Sequence, residues 1–170
     1  MERRTLLKLG VASGAALALL GGGAVLLFEP AWRDGRLSPN GQAIFVAVAR
    51  AVLDGSLPND TAARRSALGA HLERMNATLR SMSPSAQTEV ARLLALLSTP
   101  PGRLAMAGLT SDWESAQTPQ IQLALKAMRT SRLLLRRQAY HALRDLTHAA
   151  YFSDRSTWTQ LGYPGPAQIE

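Results

Sequence analysis

Three histidines, His71, His141 and His148, are the only imidazoles available for acid–base or metal chemistry. His141 and His148 are seven residues apart, which sets them on one helix face about two turns, ~10 Å, from each other. Metal ligands must converge to within about 2 Å of one ion, so this pair does not share a metal. Polar or partly buried structural histidines are the expectation. The acidic pairs Asp112/Glu114 and Asp145/Asp154 have the residue type for general acid–base work, but no motif places either pair in a pocket. The serines form no nucleophile elbow, and no Ser/His/Asp order is marked. No glycine-rich turn joins a strand to a helix, so nothing cradles a phosphate or a dinucleotide. The absence of cysteine excludes disulfides, thiolate metal sites, covalent haem attachment and a thiol nucleophile. The expectation is a chain that is not itself an enzyme and binds no cofactor or metal.

What remains is binding chemistry. The 170 residues carry a net charge of +7. Lys126, Arg129, Arg132 and Arg136 recur at three-, three- and four-residue steps, so on one continuous helix they line a face. Arg137 and Arg144 flank them. Such a stripe suits phosphates, but no aromatic residues interleave with the arginines for base stacking. A solvated face is the expectation, docking to an acidic partner surface is the next reading, and nucleic acid is not expected. Four of nine aromatic residues, Tyr151, Phe152, Trp158 and Tyr163, lie in the last twenty positions. Aromatic rings beside Gly and Pro either fold back on a core or anchor a partner.

The elements that would position these groups are helical. Ser38-Pro39 marks a helix start, and Ile44, Phe45, Val48, Ala51 and Val52 give it a buried stripe that Asp54-Gly55 ends. Asn59-Asp60-Thr61 opens a second helix with a seam at Leu68, Leu72, Met75, Leu79 and Met82. Ser83-Pro84 opens a third, buried through Val90, Leu93, Leu94 and Leu97, and Thr99-Pro100-Pro101-Gly102 ends it. Residues 103–109 predict a short helix. Thr118-Pro119 begins a long one running to about Tyr151, with a break expected near Thr130-Ser131 because of its length. The fold class is all-α: a bundle of about five helices over residues 31–151, then a non-helical arm over 152–170.

Residues 1–30 have the layout of an export signal. Arg3 and Arg4 are followed by Thr5, Leu6, Leu7 and Lys8, and residues 9–28 carry no charge. This start resembles the twin-arginine (Tat) signal of bacteria, with Arg3, Arg4, Leu6, Leu7 and Lys8 as the targeting residues. The twenty uncharged residues are also about long enough to span a bilayer, so the signal is either cleaved or kept as an inner-membrane anchor. Either way the expected location of the body is the periplasm. Residues 1–28 account for +2 of the charge, which leaves +5 for the rest.

The end of the chain carries the most specific pattern. Tyr151-Phe152-Ser153-Asp154, then Trp158, then Leu161-Gly162-Tyr163-Pro164-Gly165-Pro166, resembles the end of the gluconate 2-dehydrogenase subunit 3 family. The Ser38-Pro39 helix leading to Leu53-Asp54-Gly55-Ser56-Leu57-Pro58 is similar to that family's first helix and the Leu-Pro segment after it. The resemblance implies a non-catalytic small subunit of a periplasmic or membrane-bound dehydrogenase of the glucose-methanol-choline class. FAD and the active site would lie in the large subunit, and a cytochrome c subunit would take the electrons. The Tat translocase would export the folded, FAD-loaded partner together with this chain. Docking is then expected through Tyr151, Phe152, Trp158, Leu161, Gly162, Tyr163 and Pro164, with Arg129, Arg132 and Arg136 steering the encounter. The alternative is a free-standing membrane-anchored periplasmic helical protein with a structural role.

Overall fold

The computed structural model describes residues 31–164; the side chains of residues 160 and 161 are not described. The targeting residues Arg3, Arg4, Leu6, Leu7 and Lys8, and the end of the arm from 165 to 170, lie outside the described residues. Among the described residues there are six α-helices, α1 (Pro39–Val52), α2 (Thr61–Ser81), α3 (Pro84–Ser98), α4 (Pro100–Ala107), α5 (Thr118–Arg129) and α6 (Leu134–Phe152). A hairpin of β1 (Trp32–Arg33) and β2 (Arg36–Leu37) precedes them, and a 3-10 helix (Arg155–Leu161) follows. No helix among the described residues is long and apolar enough to cross a membrane.

The helix starts are built as the capping residues require. Ser38 Oγ accepts from Gly41 N–H at 3.3 Å, Asp60 Oδ1 from Ala63 N–H at 2.8 Å, and Ser83 Oγ from Ala86 N–H at 3.3 Å. Each satisfies a donor that the first turn leaves unpaired. Helix α1 is the axis of the bundle and packs against α2, α3, α5 and α6. It buries Gly41, Ala47 and Ala49 as well as Ile44, Phe45, Val48 and Ala51. A helix enclosed by neighbours on several sides needs small residues where they approach, and the alanines supply them.

Three expectations are corrected. The hairpin is new: Asp34 and Gly35 both take positive φ, +53° and +75°, the geometry of a two-residue primed turn, for which Asp-Gly is a strong signal. It is tied to α2 by Leu37 N–H donating to Asn76 Oδ1 at 3.0 Å and by Arg80 Nη1 donating to Gly35 O at 3.0 Å. Helix α4 begins at Pro100 rather than at residue 103. Thr99 Oγ1 accepts from Gly102 N–H at 3.1 Å, and the two prolines occupy a first turn whose N–H groups would be unpaired anyway. The arm is not wholly non-helical, since Asp154 Oδ1 caps the 3-10 turn through Ser156 N–H at 2.9 Å.

The long helix divides at 130–133, beside the expected break. Thr130 Oγ1 donates back to Lys126 O at 3.0 Å, and Leu133 N–H donates to Ser131 Oγ at 3.2 Å. Arg137 Nη1 donates to Ser131 O at 2.8 Å and to Arg132 O at 3.2 Å. The bonds to Leu133 N–H and to the Ser131 and Arg132 carbonyls satisfy backbone groups that a continuous helix would have paired internally, so the corner is a built feature.

Candidate docking surface

Three of the four acidic residues weighed for acid–base chemistry are paired with arginines. Asp112 pairs with Arg103 (2.8 Å), Asp145 with Arg144 (3.3 Å) and Asp154 with Arg74 (3.1 Å). Hydrogen bonds from the Ser156 backbone and hydroxyl, helped by Arg74, hold the Asp154 carboxyl below the usual range. His71 is buried, His148 half-buried and His141 exposed. Burial and the nearby Arg144 lower the His148 pKa, against an opposing pull from Asp145. Among the described residues no group of three His, Asp or Glu is placed to hold a metal.

The basic stripe is also divided. Lys126 and Arg129 end α5, Arg132 lies in the corner, and Arg136 belongs to α6, so they do not share one helix face. Arg136 is half-buried, and its Nε donates to Met106 O at 2.8 Å. Arg129 and Arg132 are exposed.

The tail aromatics separate into an inner and an outer pair. Tyr151 is buried, with its hydroxyl donating to Ser56 O at 2.9 Å. With Ala49, Leu53 and Leu57 it forms a small second core, against which Phe152 packs. Trp158 is half-buried and donates from Nε1 to Phe152 O at 2.8 Å. Its ring lies 5.3 Å from that of Tyr163 and 5.7 Å from the Arg155 guanidinium. Tyr163 remains 47% exposed. Gly162 takes φ +66°, a left-handed turn that ends the 3-10 helix and that side chains resist. Leu161 closes that helix and Pro164 is exposed. The outer pair, Trp158 and Tyr163, is therefore the accessible part of the tail, whereas Tyr151 is committed to internal packing.

A concave apolar surface lies elsewhere among the described residues. A groove of about 490 Å³ runs between α3 and α6. On α6 it is lined by Leu135, Ala139, Ala142, Leu146 and Ala149, at four-, three-, four- and three-residue steps. Facing them are Met82 and, on α3, Ala86, Val90 and Leu93. A seam of that spacing is what a helix presents to another helix. The alanines on α6 remove side-chain volume and leave a channel. The charged residues at the groove are Glu89 and Asp145, both acidic in a chain that is basic overall. The sequence signal for this site was the heptad spacing from Leu135 to Ala149, hidden beneath the more conspicuous arginines of the same helix.

No protein-family model matches the chain, and comparison with curated proteins and with solved structures gives no match.

Proposed function

We propose that this chain is a non-catalytic accessory subunit of a periplasmic FAD-dependent dehydrogenase of the glucose-methanol-choline type, acting on a sugar or alcohol. It assists Tat export of the flavoprotein and stabilises it. The observation that carries the reading is the apolar groove along α6, into which the half-buried Leu135, Ala142 and Leu146 open among the described residues. A partner helix laid in that groove buries its apolar stripe against Leu135, Ala139, Ala142 and Leu146, as helix-in-groove complexes do. Glu89 and Asp145 favour Lys or Arg on the flanks of that helix and disfavour acidic ones. The exposed Tyr163 and half-buried Trp158 offer aromatic anchors of the kind that dominate interfaces. The groove itself does not suit a dinucleotide, because its charged lining residues are acidic and would repel a pyrophosphate. In this reading FAD belongs to the large subunit. The twin-arginine leader and the tail motif support co-export and the family of the partner.

The test is isolation of the tagged chain from the cell envelope under mild conditions. The expected result is a co-purifying yellow polypeptide with the absorbance of FAD. A colourless preparation overturns the subunit reading in favour of a free-standing envelope protein. In a second experiment Arg3 and Arg4 are both changed to Lys. Both proteins should then remain in the cytoplasm, and arrival of both in the periplasm defeats co-export.

A further inference from the structure

The corner between α5 and α6 combines exposed leucines with arginines, a pairing that electrostatic steering of a protein partner does not need. From residue 115 to residue 144 the chain contains no acidic residue and six cations. Five of these, Lys126, Arg129, Arg132, Arg136 and Arg137, fall within twelve positions centred on the corner. Among the described residues none of the five forms a salt bridge. They divide the work between them. Arg137 ties down the Ser131 and Arg132 carbonyls, and Arg136 binds the Met106 carbonyl of α4. These two hold the corner rigid. Lys126, Arg129 and Arg132 are exposed to solvent. Between the two sets, Leu133 and Leu134 stand 63% and 51% exposed. Isolated exposed leucines need no explanation. Two in tandem, at a braced corner with three exposed cations within the seven residues before them, pair an apolar tip with nearby positive charge.

We infer that this corner seats in the headgroup layer of an anionic phospholipid bilayer. The leucines would enter the acyl boundary, while Lys126, Arg129 and Arg132 meet lipid phosphates. An acidic protein surface is the less fitting occupant. It would leave the projecting leucines without an apolar phase, whereas a bilayer supplies both phases at the right depth and accepts cations at any lateral position. The inference is independent of the subunit reading. It concerns how the body lies against a membrane, whatever docks in the groove.

The absence of native cysteine makes the test direct. The full chain carrying Leu133→Cys is labelled with an environment-sensitive fluorophore and added to vesicles. One set is phosphatidylcholine alone; the other also contains phosphatidylglycerol. The expected result is a blue shift, and quenching by a shallow lipid-borne quencher, in the phosphatidylglycerol vesicles only. The same label at Thr88→Cys, an exposed position on α3, should stay water-like in both and so discounts any anchoring by the leader. Adding Arg129→Gln and Arg132→Gln should lower the inserted population roughly 30-fold, since each cation near an anionic surface contributes about fivefold. A water-like label at position 133 on phosphatidylglycerol vesicles with which the chain sediments overturns the inference. So does an equal response in phosphatidylcholine alone. Shielding that appears only when the FAD-containing partner is added overturns it in favour of a protein surface.

Discussion

His71 is where the fold is most exposed to pH. It is buried on α2, and neither ring nitrogen has a hydrogen-bond partner among the described residues. Its ring centroid lies 6.3 Å from that of Tyr151 on α6. Arg74, one turn along, is held by Ala150 O at 3.0 Å and by Asp154. Burial first, and the Arg74 charge second, push the His71 pKa down to about 4. An unfolded histidine titrates near 6.5, so below that pH the unfolded chain takes up a proton that the folded chain refuses. The stabilising effect of neutral His71 is therefore complete above about pH 6.5 and is lost as pH falls towards 4. The loss amounts to about 3 kcal/mol over that window. Asp154 acts in a lower window, because a depressed carboxylate stabilises above its ordinary pKa and loses that effect only below it. Denaturant unfolding at pH 7 and pH 4.5 should show the decline for the native chain and a flatter profile for His71→Phe. Parallel profiles would remove His71 as the cause. Thr147, also buried on α6, has a hydroxyl with no partner among the described residues. Thr147→Val exchanges that hydroxyl for a methyl group of similar shape. Stability should be unchanged or raised by about 1 kcal/mol, since no hydrogen bond is lost and a desolvated polar atom is removed. A clear fall in melting temperature would show that the hydroxyl has a partner after all.

The helices were legible from the chain because their starts are chemical. Ser38, Asp60 and Ser83 cap the turns at which they stand in sequence, and the long helix breaks at Thr130-Ser131. The remaining elements carry weaker signals of the same kind. Asp34-Gly35 announces a primed turn, but its strands are two residues long and show no alternation. The 3-10 helix has a three-residue turn that a search for 3.6-residue spacing passes over. Thr99-Pro100-Pro101-Gly102 suits a helix end and a helix start equally, and Gly102 is what allows the start. A Cβ at Gly102 would collide with the Leu96 carbonyl and come within 2.7 Å of Thr99 Oγ1. The carbonyl is backbone and cannot swing aside. Gly69, inside α2, has open space where its Cβ would go. The same change should therefore act with opposite signs. Gly69→Ala should stabilise by up to about 1 kcal/mol through helix propensity, and Gly102→Ala should destabilise by about 2 kcal/mol or more. Thermal unfolding of both variants checks the pair. Equal shifts would mean that the α3–α4 joint yields where the geometry says it is rigid.

Helix α6 joins the two proposed binding surfaces into one arrangement. Leu133 and Leu134 lie at its start, and the next residue, Leu135, is the first to line the groove. Ala149, at the other end of the groove, is two residues from Tyr151 and the small second core beneath the tail. The groove thus runs along the helix axis from the basic corner towards the aromatic arm. At 1.5 Å per residue its α6 wall is about 21 Å long, room for roughly four turns of a partner helix. With the corner in a bilayer, that helix would extend along α6 away from the headgroups. The arrangement predicts that the two surfaces can be lost separately. Ala142 is half-buried in the middle of the groove, so Ala142→Trp fills the channel from a site that faces the opening. It should reduce recovery of the FAD-containing partner at least tenfold while leaving helical content and melting temperature close to native. Leu134→Gln, a change at the exposed tip of the corner, should retain the partner and weaken only the vesicle response there. If Ala142→Trp still brings down the flavoprotein, the subunit reading survives but the groove is not its docking site. The accessible tail pair, Trp158 and Tyr163, would then be the surface to alter.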